Sequence, residues 1–241
     1  MSSHEETVRI ESADCGRFDA YLAVPESAQG PGLVLLQYIC GVNAVMRRLA
    51  REFAARGYLV AVPDLFWRQE PGVMLANDPA TVTAEEQRRA LALNDGFADA
   101  PALDDMRATL AYLRSHERCN GRVGTLGYCL GGRMAFLLAL HSDVDCAVGY
   151  YGVNLDKYVG EAPALRCPVL LHMAEKDVLV PPPVREQIVT SLALIENVSV
   201  SVHPGVNHAF ALAGGPNHDA VAAANADQAS LAFLDKHLKA A

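Results

Sequence analysis

Three residues whose types and order could do covalent chemistry stand far apart in this chain: Cys129, Asp177 and His208. Cys129 sits in Gly127-Tyr128-Cys129-Leu130-Gly131-Gly132, between a strand-like run at 122–127 and a segment of helical period at 130–140. That is the Gly-x-Ser-x-Gly nucleophile elbow with cysteine in the serine place. The glycines suit the chemistry, because a side chain thrown out of a strained turn requires neighbours without Cβ where strand and helix approach. The helix start also sets free N–H groups and the positive end of the dipole beside the sulfur, which favours thiolate. Asp177, in His172-Met173-Ala174-Glu175-Lys176-Asp177, and His208, in Gly205-Val206-Asn207-His208-Ala209-Phe210, complete the chain order nucleophile, acid, histidine. In these roles His208 takes the thiol proton and later delivers it or activates water, while Asp177 holds the imidazole in the right tautomer. An oxyanion hole would use the N–H of Leu130, next after the nucleophile, and one from the loop after residues 33–37, where Ile39 is the natural donor.

Other readings of the same residues stay open at this point. Cys129 could be a buried thiol in a common glycine-rich turn, Glu175 could orient the histidine instead of Asp177, and His208 taken alone could be a solvated loop residue. His172 and His203 lie in or at the end of strand-like runs and read as hydrogen-bonded structural histidines; His4, His116, His141, His218 and His237 read as surface residues. A phosphate-binding loop fits poorly, since neither a Lys-Ser/Thr ending nor GxGxxG spacing is present. The six cysteines lack CxxC spacing, so neither a zinc site nor a disulfide framework is suggested, and Cys40 reads as a packing residue. No metal and no cofactor is expected.

The elements that must position these residues follow from the alternation of short apolar runs with helical periods. From residue 32 onward, strands are predicted at 33–37, 59–63, 122–127, 146–151, 169–173 and 198–203, with an edge hairpin from 8–10 and 18–24 ahead of them. Helices are predicted at 45–56, 104–116, 130–140, 184–194 and 220–238. Apolar residues on both faces of the strands call for helices on both sides of a mostly parallel sheet. The stretch 69–99 is irregular, broken by Pro71-Gly72 and Asp78-Pro79, with a helix possible over 84–93; it reads as an excursion that caps a site. The 241 residues, 51% hydrophobic and 20% charged, fit one α/β domain over 1–241. A net charge of -8 argues against nucleic acid or an anionic membrane surface and for a small-molecule partner. No apolar run of about 18 residues occurs, and the polar, acidic opening at 1–14 is unlike a signal peptide, so a cytoplasmic location is expected.

With these residues in place the sequence resembles the dienelactone hydrolase (carboxymethylenebutenolidase) family. The matching segments are Gly41-Val42-Asn43, Pro63-Asp64-Leu65, the cysteine elbow, Gly149-Tyr150-Tyr151-Gly152, His172-Met173 with Asp177, and His208 with Phe210. The resemblance implies an α/β-hydrolase fold, usually a monomer, whose Cys-His-Asp triad opens an enol-lactone on the bacterial route for degrading catechols. A thiolate leaves more readily than an alkoxide, so a cysteine nucleophile suits activated esters whose leaving group is a stabilised enolate or phenolate; the thioester is then hydrolysed by water that His208 activates. There are departures. Family members acting on dienelactone carry a glutamate, which engages the resting thiol, where this chain has Tyr38; here a phenol could bond to substrate or thiol, or simply wall the pocket. They follow the histidine with Ser-Phe-Ala-Arg, which helps hold a substrate carboxylate, where this chain has Ala209-Phe210-Ala211-Leu212. The family's substrate-facing tyrosine and tryptophan align loosely with Leu91 and Asn94, and Arg88 or Arg89 could supply the missing positive charge. Substrate contacts are therefore expected at Tyr38, Leu91, Ala209, Phe210, Leu212 and Arg88. A thiol esterase for a less polar activated ester, and a non-hydrolytic small-molecule binder or thiol sensor using Cys129 and Cys40, are the alternatives.

Overall fold

The computed structural model describes residues 4–239, so the polar opening at 1–14 is described from His4 onward. Eight strands, β1 (His4–Glu11), β2 (Arg17–Val24), β3 (Gly30–Leu36), β4 (Leu59–Pro63), β5 (Cys119–Tyr128), β6 (Cys146–Tyr150), β7 (Val169–Ala174) and β8 (Val198–His203), form one sheet in the order β1-β2-β4-β3-β5-β6-β7-β8. β2 runs antiparallel to both β1 and β4, and every other adjacent pair is parallel. The helices are α1 (Ala44–Ala54), α2 (Ala84–Asp95), α3 (Asp99–Ser115), α4 (Leu130–His141), α5 (Pro182–Leu192) and α6 (Ala220–Leu238).

The uninterrupted apolar runs explain the layering. β3, β4, β6 and β7 are buried at every position, and their side chains alternate between two cores with the two-residue period of a strand. Val34 and Leu36 pack with Met106 and Leu110 of α3 and Met134 of α4, whereas Leu33 and Leu35 pack with Met46 and Ala50 of α1 and Leu234 of α6. Burying a Leu or Val of this kind contributes about 1.5–3 kcal/mol, enough for a handful of them to decide the layering. β1 is polar and mostly exposed, as an edge strand can be.

Chain order places the site. From β3 the chain crosses through α1 to β4 on one side, then returns past β3 to β5 on the other, so the crevice at the carboxyl ends of β3 and β5 is a topological switch point where ligands bind in open α/β sheets. Element boundaries differ from the sequence reading where an early turn is unconventional. α3 starts at Asp99 rather than 104, carrying Pro101 in its first turn, where a missing N–H costs nothing. α5 likewise starts on prolines. Within the 69–99 segment, α2 is set by a reciprocal cap between Thr83 and Glu86. Residues 73–76 lie along the turn after β3: Val42 N–H donates to the Val73 oxygen at 3.1 Å and Leu75 N–H to the Cys40 oxygen at 2.9 Å. Among the described residues no helix is long and apolar enough to cross a membrane.

Candidate active site

Helix starts show where the molecule leaves N–H groups available. Asn43 caps α1, Thr83 caps α2 and Asp219 caps α6, each side chain accepting from backbone N–H groups of the first turn. α4 has no side-chain cap; the residue at its cap position is Cys129, held at φ 56°, ψ −112°. A non-glycine residue there costs about 1–3 kcal/mol and persists only when its surroundings impose it. They do so here: Cys129 N–H donates to the Tyr150 oxygen at 3.0 Å, and its own carbonyl accepts from Arg133 at 3.1 Å. A Cβ on Gly127 would collide with the Gly131 carbonyl, and one on Gly131 with the Leu36 and Gln37 carbonyls. The start of α4 therefore lies directly on the end of β3.

That contact sets the two sequence-predicted oxyanion donors on facing segments. Residues 38–41 form a turn closed by Gly41 N–H donating to the Tyr38 oxygen at 3.2 Å. Ile39, inside this turn, and Leu130, first in α4, both keep N–H groups that meet no backbone carbonyl among the described residues.

His208 and Asp177 come from the loops after β8 and β7. His208 Nδ1 lies 2.9 Å from Asp177 Oδ2, while Asp177 Oδ1 accepts the Leu179 N–H at 2.8 Å. Asn207 joins the two loops by accepting from the N–H groups of Val178 and His208, and Asn217 donates to the His208 carbonyl. The alternative acid is otherwise engaged: the Glu175 carboxylate accepts the Gly205 N–H at 2.7 Å. Cys129, Asp177 and His208 are all buried, and His208 Nε2 has no hydrogen-bond partner among the described residues. Burial opposes charge on this imidazole, but the nearby Cys129 sulfur and the bonded Asp177 outweigh it and raise His208 to about 10. The arrangement can thus hold a proton beside the sulfur and move it in the plane fixed by Asp177.

The substrate contacts expected from sequence divide. Tyr38 is buried, its hydroxyl accepting from Asn43 Nδ2 at 2.8 Å, and among the described residues no hydrogen bond joins it to the Cys129 sulfur. Ala209 sits at φ 65° beside His208. Phe210 and Leu212 are 0% and 2% exposed. Phe210 packs between Tyr151 and His203, with ring centroids at 5.4 and 4.8 Å. On α2 the buried residues are Ala90 and Leu93; Leu91 is 55% exposed, Arg88 is exposed too, and no described contact joins either to the triad. Arg89 is paired with Glu70.

Sequence reasoning missed Tyr151. It follows β6 at φ 38°, its ring stands 5.1 Å from that of His208, and its hydroxyl is buried without a partner among the described residues. The only signal was its place in Gly149-Tyr150-Tyr151-Gly152 at the end of a strand. His172 and His203, read from sequence as hydrogen-bonded structural histidines, join a buried polar chain nearby. His203 Nε2 and His172 Nδ1 are 2.9 Å apart, His172 Nε2 is 2.9 Å from Ser230 Oγ, and Ser230 Oγ is 2.7 Å from the Tyr150 hydroxyl.

Residues 18–238 match the model of the dienelactone hydrolase family. The chain belongs to this family. A protein of Azospirillum brasilense is 44% identical over 242 residues, covering 96% of this chain and 98% of that one. A carboxymethylenebutenolidase of Pseudomonas putida is 38% identical over 229 residues, covering 95% of each. Among solved structures, one from Klebsiella pneumoniae superposes with a TM-score of 0.82 at 26% identity, covering 97% of this chain and 98% of the other. Membership in this family makes the chain a carboxylic-ester hydrolase with the α/β-hydrolase fold.

Proposed function

We propose that the protein hydrolyses an activated carboxylic ester, of the enol-lactone type named by its family, through a thioester on Cys129. The observation that carries this reading is the His208 imidazole, bonded to Asp177, with an Nε2 that has no partner among the described residues and lies near the sulfur of a strained elbow. The Cys129 thiolate attacks the ester carbonyl, and the Leu130 and Ile39 N–H groups receive the developing oxyanion. Collapse breaks the ester bond, and the leaving enolate or phenolate takes the proton from His208. Forming the thioester removes the negative charge on sulfur that helped keep His208 protonated, so the neutral imidazole is then ready to draw a proton from water. Water attacks the thioester, the carboxylic acid departs, and the returned proton restores the sulfur–imidazolium pair.

A second reading, an esterase for a less polar activated ester, is favoured by one observation. Leu212, standing where the family has an arginine, is buried, and of the two cations the sequence offers in its place Arg89 is paired with Glu70 while Arg88 is exposed with no described contact to the triad. Steady-state hydrolysis of p-nitrophenyl acetate beside cis- and trans-dienelactone separates the two. A carboxylate-bearing lactone turned over far better than the aryl ester supports the first reading, and cleavage of the aryl ester alone supports the second. Under either, Cys129→Ala loses at least about 10³-fold in kcat while remaining folded; activity persisting in that variant overturns the cysteine mechanism.

A further inference from the structure

Asn43 is 4% exposed and uses its one side-chain amide four times. Its oxygen accepts from Val45 and Met46 N–H at 3.1 and 3.2 Å, which caps α1. Its nitrogen donates to the Tyr38 hydroxyl at 2.8 Å and to the Leu75 oxygen at 2.9 Å. The first pair is an ordinary helix cap that serine or aspartate would supply. The second pair does nothing for the helix; it ties the 38–41 turn to residues 73–76 of the long segment. The same two stretches are stitched by Leu75 N–H to the Cys40 oxygen and by Val42 N–H to the Val73 oxygen. They run so close that Gly41, at φ 76°, has the Val73 carbonyl where a Cβ would stand. Ile39 lies in this turn with its N–H unbonded to backbone among the described residues.

We propose that Asn43 is a positioning residue for the oxyanion hole, and that Tyr38 acts with it. The amide fastens the turn from two sides, so that the Ile39 N–H is aimed before substrate arrives rather than reorganised during the reaction. Residues 73–76 are the splint against which the turn is held. Tyr38 therefore serves through its hydrogen bond to Asn43 and not by touching the sulfur. This inference rests on the reading of Cys129 as nucleophile and Ile39 as oxyanion donor.

The test exploits two reactions of one sulfur. Acylation by p-nitrophenyl acetate builds an oxyanion, whereas alkylation by iodoacetamide displaces iodide from a saturated carbon and needs no oxyanion hole. Asn43→Ser keeps the helix cap and loses the reach to Tyr38 and Leu75. The expected result is an acylation rate about ten- to a hundredfold lower with the alkylation rate within about twofold of wild type. Tyr38→Phe removes one hydroxyl, retains the Leu75 bond, and is expected to lower acylation by roughly threefold with alkylation again unchanged. An Asn43→Ser protein that acylates at the wild-type rate overturns the proposal, as does one in which both rates fall together. If Asn43→Ser does not fold, Tyr38→Phe decides by the same pair of rates. Turnover surviving in Cys129→Ala would sink the nucleophile reading itself; an inactive Cys129→Ala beside an unimpaired Asn43→Ser sinks only the positioning role.

Discussion

His208 and His203 are buried almost equally, at 9% and 8% exposed, and they sit near each other at the carboxyl end of the sheet, separated by Phe210 and Tyr151. Their proton affinities nevertheless move in opposite directions. His208 faces a carboxylate and a sulfur and is raised to about 10, while His203 is lowered by burial and its partner His172 is lowered to about 3, by burial and then by His203. Burial is common to all three; what differs is whether an acid answers the imidazole. The His172–His203 pair bonds to itself and to the Ser230 hydroxyl, neutral groups that cannot support a charge. One region is built to carry a proton, the other to exclude one, and the aromatic layer of Phe210 and Tyr151 keeps them apart.

The comparison breaks most sharply at Asp177. Asp177→Asn gives His208 a neutral partner, as His172 has, and is expected to lower kcat by about 10³–10⁴-fold in steady-state assays with little change in fold. A loss under tenfold would mean that the carboxylate is not what distinguishes the two regions.

A titration of the imidazole signals by NMR should show His208 protonated up to pH about 10 in the wild type and titrating lower in Cys129→Ala, because the sulfur that helps raise it is gone. An unmoved His208 in that variant would assign the whole upward shift to Asp177. The signs for stability are opposite. For His208, whose affinity is raised, the contribution is complete below the ordinary value of 6.5 and is lost as pH climbs toward about 10. For His172, whose affinity is depressed, stability is complete above 6.5 and falls as pH drops toward about 3.

The smallest effect on activity is expected at His172. His172→Phe leaves His203 Nε2 without its partner and should cost about 1–3 kcal/mol in chemical denaturation, with kcat/KM within about threefold of wild type. The acid-side loss of stability should shrink in this variant. An activity loss on the scale of Asp177→Asn would show that the polar chain takes part in proton transfer.

Much of this site was legible in sequence because its residues carry local signatures. The elbow declares itself through glycines that allow a close backbone approach, and Asp177 and His208 each follow a predictable strand. The sequence favours Asp177 over Glu175, which lies nearer the strand end, and the structure puts Asp177 2.9 Å from His208 while Glu175 accepts the Gly205 N–H. The early start of α3 was hidden by Pro101, which ordinarily signals a boundary rather than a first turn.

By itself the sequence determined the layered parallel architecture, the chain order of Cys129, Asp177 and His208 and the glycine-flanked turn that presents Cys129, because hydrophobic period and glycine placement act over a few residues at a time. Only the tertiary structure decided what each polar group meets. Whether His208 keeps a proton, whether His172 refuses one and what Tyr38 bonds to depend on partners from other loops and helices. Electrostatic and hydrogen-bond energies follow distance and direction between atoms that the chain brings together only on folding.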